Sequence, residues 1–178
     1  MFDQQAVAQI RGIIDEYVDL FNTINNKTNV LDALGIESFT FDKIIRIEIL
    51  NYWLFLTASD GVISDDEVDF INAVLDYDFS ASDCKEVIIE CNIYSEEYEN
   101  RIPFIVIATV YAEEYAWKWH RKRIDFINDI IGFFDLIGST LLNADGYVHS
   151  TEIADHSGYI GNLRDSIPSV REAVRERL

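Results

Sequence analysis

One eight-residue phrase occurs twice in this chain. Asp60-Gly61-Val62-Ile63-Ser64-Asp65-Asp66-Glu67 returns 85 positions later as Asp145-Gly146-Tyr147-Val148-His149-Ser150-Thr151-Glu152, and both copies read D-G-x-[IV]-x-x-x-E. Each copy follows an apolar helical run (residues 51–59 and 133–144) and precedes a further helical pattern. The repeated unit is therefore helix, acidic glycine loop, helix. The phrase constrains the fold and a candidate ion site, and identifies no reaction.

The rest of the chain is helical in pattern. Over residues 3–25, Val7, Ile10, Ile14, Tyr17, Val18 and Phe21 recur at spacings of three and four, which turns one stripe toward a core. Asn25-Asn26-Lys27-Thr28-Asn29 should end that helix, because Asn side chains compete for backbone hydrogen bonds. Thr40 is the expected N-cap of a second helix running to Ser59. Ser64 and Glu67 have the form of a capping box, and the helix they start should reach about Tyr77. Ser80 or Ser82 caps the next helix, to Asn92, and Ser95 opens a short one. Pro103 suits the first turn of the following helix, which carries Phe104, Ile105, Ile107, Ala108 and Tyr111 inward. A break is expected across residues 117–123. After it Ile124, Ile127, Ile130, Ile131, Phe134 and Ile137 form another stripe, and two last helices follow the second D-G loop and Ser166-Ile167-Pro168. No segment alternates with period two, so the expectation is all-α: one compact bundle of about 7–9 helices over residues 1–178. Within it, residues 1–39 read as an N-terminal helical extension, 40–99 as the first repeat, and 100–178 as the second repeat with the C-terminal helix.

Charge narrows the partners. The 32 acidic against 14 basic residues give a net charge of −18, which repels phosphate backbones and anionic lipid head groups, so neither nucleic acid nor membrane insertion is expected. The start of the chain has no basic-then-apolar leader, and its longest uncharged apolar run, residues 102–112, is too short to span a bilayer. A soluble, cytoplasmic protein is expected. Cys84 and Cys91 lie two helical turns apart, too far for a mutual disulfide, and read as reduced, semi-buried thiols.

The last eight positions of a calcium-binding EF-hand loop have the form D-G-x-[IV]-x-x-x-E, but the preceding positions do not fit. Leu56 and Ala58 in copy one, and Leu141 and Asn143 in copy two, stand where the loop needs its first oxygen ligands, so an EF-hand is rejected. With the residue before each phrase included, Ser59-Asp60-Gly61-Val62-Ile63 with Glu67 and Ala144-Asp145-Gly146-Tyr147-Val148 with Glu152 resemble the TerB-like tellurite-resistance domains. These all-helical domains also occur in front of the J-domain of certain membrane-anchored DnaJ-like co-chaperones. The resemblance covers residues 44–163. It implies a duplicated helical fold, with an ion-binding or charged interaction surface at Asp60, Glu67, Asp145 and Glu152.

Read from the residues alone, both loops are also good helix starts: glycine takes positive φ cheaply and acidic residues suit a helix N-terminus. In copy two His149, Glu152 and His156 are spaced three and four, on one helical face, with Asp145 just before it. Imidazoles with carboxylates suit zinc or another transition metal, whereas carboxylates alone suit calcium or magnesium. A divalent cation (Ca, Mg or Zn) at these loops is therefore a candidate.

From residue 60 to 99 there are 13 acidic residues and one basic, Lys85, a single-signed surface that would steer a basic protein partner. Asp65, Asp66, Asp69, Glu96 and Glu97 are its candidate contact residues. The one dense basic stretch, Trp117-Lys118-Trp119-His120-Arg121-Lys122-Arg123, reads as a helix junction with cation–π contacts or a docking patch. Glu113 and Glu114 are expected on a solvated face. No catalytic motif emerges. The functional expectation is a non-enzymatic TerB-like interaction or scaffold module of a bacterial stress, defence or secretion system. The alternative is an acidic inhibitor or immunity-type protein that blocks a basic toxin or nuclease surface.

Overall fold

Two segments are apolar on almost every side, and the remaining helices are arranged around them. The computed structural model describes residues 4–59, 61–93, 96–143 and 149–178, with Glu96 described by its backbone alone. Among these residues the chain is helical, without strands: α1 (Gln4–Thr28), α2 (Val30–Ala33), α3 (Phe41–Thr57), α4 (Asp65–Leu75), α5 (Ala81–Glu90), α6 (Glu96–Glu99), α7 (Phe104–His120), α8 (Ile127–Leu142) and α9 (Ser150–Arg177). In α3 residues 49–57 are all buried, and α7 is buried from Ile105 to Ala116 save for Ile107 and Tyr115. A helix without a polar face must be surrounded. Accordingly α3 packs against α1, α4, α5, α7, α8 and α9, and α7 against α1, α2, α3, α8 and α9.

The expected stripe of α1 is buried at Val7, Ile10, Ile14 and Phe21, and Phe21 stacks on Phe41 with ring centroids 5.0 Å apart. The N-terminal helix is thus part of the one core. An aromatic cluster fills the junction of α3, α8 and α9. Tyr52 stacks on Tyr159 at 4.5 Å, Phe134 meets Tyr52 edge-on at 5.6 Å, and the buried indole of Trp53 donates to the Ile137 carbonyl at 3.0 Å.

Three helix starts are capped by their own N-cap residue: the Thr40 hydroxyl accepts from Lys43 N–H, Ser64 forms a capping box with Glu67, and Ser80 forms one with Asp83. Pro103, at the N-cap of α7, and Phe126, at that of α8, have no such side chain. Carboxylates from distant helices replace it. Glu48 of α3 accepts from Phe104 N–H and, at 3.2 Å, from Ile105 N–H; Glu113 of α7 accepts from Phe126 N–H at 2.6 Å and Ile127 N–H at 3.0 Å.

The structure sharpens one expected boundary and removes another. α1 runs through Asn25 to Thr28 and is stopped by Asn29, which takes a left-handed φ of 55°, while the Asn25 side chain accepts from Leu31 N–H. Pro168 does not divide the last segment, since α9 is continuous across it. The N–H that proline lacks would have bonded the Arg164 carbonyl one turn back, and both residues are exposed, so water can take its place. No helix of the described residues is long and apolar enough to cross a membrane.

Burial pushes the Glu48 carboxyl up to about 7, against the backbone hydrogen bonds and the Arg101 charge that favour ionisation. A raised folded value means that this group's stabilising contribution is complete below pH 4.5 and is lost as pH rises through 7. Urea unfolding of wild type against Glu48→Gln checks this. The loss of stability between about pH 5 and 8 should shrink by roughly 2–3 kcal/mol in the variant.

Candidate functional site

The D-G loops place their glutamates inward. Gly61 adopts φ 79°, the left-handed conformation glycine allows, and Ile63 is buried while Val62 points out. Glu67 is buried, and one of its oxygens accepts from Ser64 N–H at 2.7 Å. Glu152 repeats this in the second loop: it is buried and accepts from His149 N–H at 2.8 Å. Both glutamates of the repeated phrase are therefore helix caps. Asp60 and Asp145 lie outside the described residues.

The two histidines are not brought together. His149 is exposed at the N-cap of α9, whereas His156 is buried and engaged at both ring nitrogens. Its Nδ1 lies 2.5 Å from the Tyr52 hydroxyl and its Nε2 lies 3.0 Å from Asp135 Oδ1, with Ser139 Oγ at 3.4 Å. Burial raises the Tyr52 phenol well above its ordinary value, so it stays a donor. A tautomer with hydrogen on Nε2 then completes a chain from Tyr52 through His156 to Asp135. The three residues tie α3, α9 and α8 together. The phenol at the inner end is fully buried, and Asp135 at the outer end is half exposed. Gly138 makes the room: a Cβ there would lie 2.5 Å from His156 Nδ1 and 2.6 Å from the Tyr52 hydroxyl. Among the described residues, no group of three or more His, Cys, Asp or Glu is placed to hold a metal ion. The shared helical face of His149, Glu152 and His156 is thus an exposed residue, a cap and a core ligand of Tyr52.

Asp155, on the adjacent face, is partly buried: burial raises its carboxyl, and the neighbouring Ser59 opposes the rise. This links the start of α9 to the end of α3, beside the first D-G loop. Of the acidic contact residues, Asp65, Asp69 and Glu97 are exposed and Asp66 is partly buried, while the Glu96 side chain lies outside the described residues. Asp83 is turned back onto Ser80, whose backbone and hydroxyl both donate to it and hold its carboxyl low.

Glu113 and Glu114 are buried, not solvated. Sequence could not show why, because their partners are about 60 residues away. Arg171 bridges Glu113 at 2.7 Å and Glu114 at 2.9 Å, and Arg175 grips Glu114 with bonds of 2.7 and 3.0 Å. Burial alone would raise the Glu114 carboxyl, but hydrogen bonds from Arg175 and Arg171 overcome it and hold it below the usual range. Beside this cluster the expected cation–π junction is present. Arg121 and Arg123 lie 5.9 and 5.3 Å from the Trp117 ring, and Lys118 lies 5.0 Å from Trp119. The turn is made at Arg121, with φ 54°.

Arg171→Ala should remove about 3 kcal/mol in urea unfolding at neutral pH, because it leaves buried carboxylates short of a counter-charge. A depressed carboxyl contributes above its ordinary value and loses that contribution as pH falls. The deficit of the variant should therefore narrow below about pH 4. An undiminished deficit at low pH would show that packing, not charge, is what Arg171 supplies.

No protein-family model, curated protein or solved structure matches this chain.

Proposed function

We propose that this chain is a TerB-like protein-interaction module of a bacterial stress, defence or secretion system, and that it docks a basic protein partner on its acidic side. The supporting observation is the way its carboxylates divide. Glu48, Glu67, Glu113 and Glu152 are spent on helix starts, whereas Asp65, Asp69 and Glu97 stand exposed on or near a segment that carries one lysine. Exposed like charges repel one another and add nothing to packing, while their field accelerates the approach of a basic surface. An inhibitor of a basic toxin or nuclease would use the same field, and the identity of the captured partner separates the two.

The test is capture of the partner from a native extract, followed by stopped-flow association at varied salt. The association rate should fall steeply with ionic strength. Asp65→Lys with Asp69→Lys should weaken binding at least tenfold while lowering the melting temperature by only a few degrees, the cost of a lysine in the first turn of α4. A salt-independent rate, or full binding by the double variant, defeats the acidic-docking reading.

Tuning by a divalent cation belongs to the same proposal, with Asp60 and Asp145 as its principal ligands, since Glu67 and Glu152 each give an oxygen to backbone N–H. Calorimetric titration with Ca²⁺, Mg²⁺ and Zn²⁺ should show binding by the wild type that Asp60→Asn and Asp145→Asn abolish. An absence of heat below millimolar cation, or binding indifferent to both substitutions, removes the cation from the mechanism.

A further inference from the structure

α1 and α8 leave an open groove of about 640 Å³ between them. Its walls are mainly apolar: Ile13, Tyr17 and Leu20 from α1 face Phe133 and Leu136 from α8 and Phe126 at its N-cap. Leu136 keeps 40% of its surface exposed, and the Tyr17 and Phe133 rings meet at 4.6 Å. Glu16 and Asp129 are the charged lining residues, both exposed, and no lysine or arginine lines the groove. Gly132 also lines it, inside α8, where glycine weakens a helix relative to alanine. At Gly138 the close approach of Tyr52 and His156 explains the glycine, but a Cβ at Gly132 would meet nothing within 4 Å. Gly12 and Gly161 are equally open, though neither lines this groove.

We propose that the α1–α8 groove receives a basic amphipathic helix of a partner protein, laid with its apolar ridge over Gly132 and its Lys or Arg flanks against Glu16 and Asp129. This rests on the reading of the chain as an interaction module and names a second, chemically distinct contact surface. Three properties of the groove select that occupant. Both walls are helices, with Phe126 N–H taken by Glu113 and the Asp129 carbonyl accepting from the Tyr17 hydroxyl at 3.2 Å, so an extended strand would find no ladder to join and side-chain packing must carry the contact. From Ile13 to Leu20 the wall runs seven residues, about 10 Å, which matches anchors at i, i+3 or i+4, and i+7 of an incoming helix. The carboxylate rim and the net charge of −18 favour basic flanks, and repel both anionic lipid and a second copy of the chain.

The probe is a fluorescein-labelled 15-residue peptide of leucine and lysine with leucines at that spacing, titrated by anisotropy at 150 mM salt, with a leucine–glutamate peptide as control. Binding by the wild type is expected. It should weaken at least tenfold in Gly132→Leu, which fills the groove from a position with open space, and in the double variant Glu16→Lys, Asp129→Lys. Gly132→Ala should raise the melting temperature and keep binding within about threefold. No binding by the wild type, equal binding by Gly132→Leu, or equal binding of the glutamate peptide overturns the proposal. A wild-type dimer in sedimentation that Gly132→Leu dissociates would also overturn it, in favour of a second copy. Loss of binding in Asp65→Lys, Asp69→Lys but not in Gly132→Leu would leave the acidic-docking reading standing and this groove rejected. The reverse pattern would support the groove and leave the acidic face to be decided by the partner's own association kinetics.

Discussion

A helix that begins inside a protein brings unpaired N–H groups with it, and burying them unpaired costs more than a hydrogen bond returns. Two of the central contacts in this structure exist because α7 and α8 begin that way, at Pro103 and Phe126, with no local side chain to cap them. Glu48 and Glu113 reach in from neighbouring helices to accept those N–H groups. Each carboxylate then sits at the positive end of a helix dipole, where negative charge is favoured. Glu113 and its neighbour Glu114 draw in Arg171 and Arg175 from α9. The start of α8 thereby decides where the C-terminal half of α9 packs.

The same requirement redirects the acidic residues of the D-G loops. Glu67 and Glu152 stand where a cation ligand was expected, but each has a backbone N–H within 2.8 Å and is buried. His156 is likewise absorbed, because the buried Tyr52 hydroxyl needs an acceptor and the imidazole provides one. Among the surfaces that remain outward are an acidic side around α4 and an apolar groove with an acidic rim between α1 and α8. The two lie on different helices and call for different chemistry in whatever meets them.

Much of the fold was legible. The stripes of α1 and α8, the caps at Thr40, Ser64 and Ser80, the all-helical class and the turn after Trp117 follow from periodicity and local hydrogen bonding, which operate within a few residues. Of the run Asn25 to Asn29 that ends α1, Asn29 makes the stop, while Asn25 caps the next segment from within the helix. Misreadings fell where a local rule was overridden. Pro168 marks a boundary by local rules, yet one missing hydrogen bond at an exposed position does not outweigh a helix held on either side of it by Tyr159 and Val174 in the core. Within the candidate site, the pairing of each loop glutamate with its helix start was readable. The partners of Glu113, Glu114 and His156 were not, because nothing in the neighbouring residues indicates them.

The sequence by itself determined where helices form and which of their starts are capped locally, because those choices are settled within one turn of chain. Only the tertiary structure decided which carboxylates are structural and which are free to act. That choice depends on residues 13 to about 60 positions apart meeting in space, Glu113 with Phe126 and Arg171, Glu48 with Phe104, Tyr52 with His156 even farther away. A glutamate has the same formal charge in either role. Burial and a waiting N–H group are what separate a cap from a ligand or a docking contact.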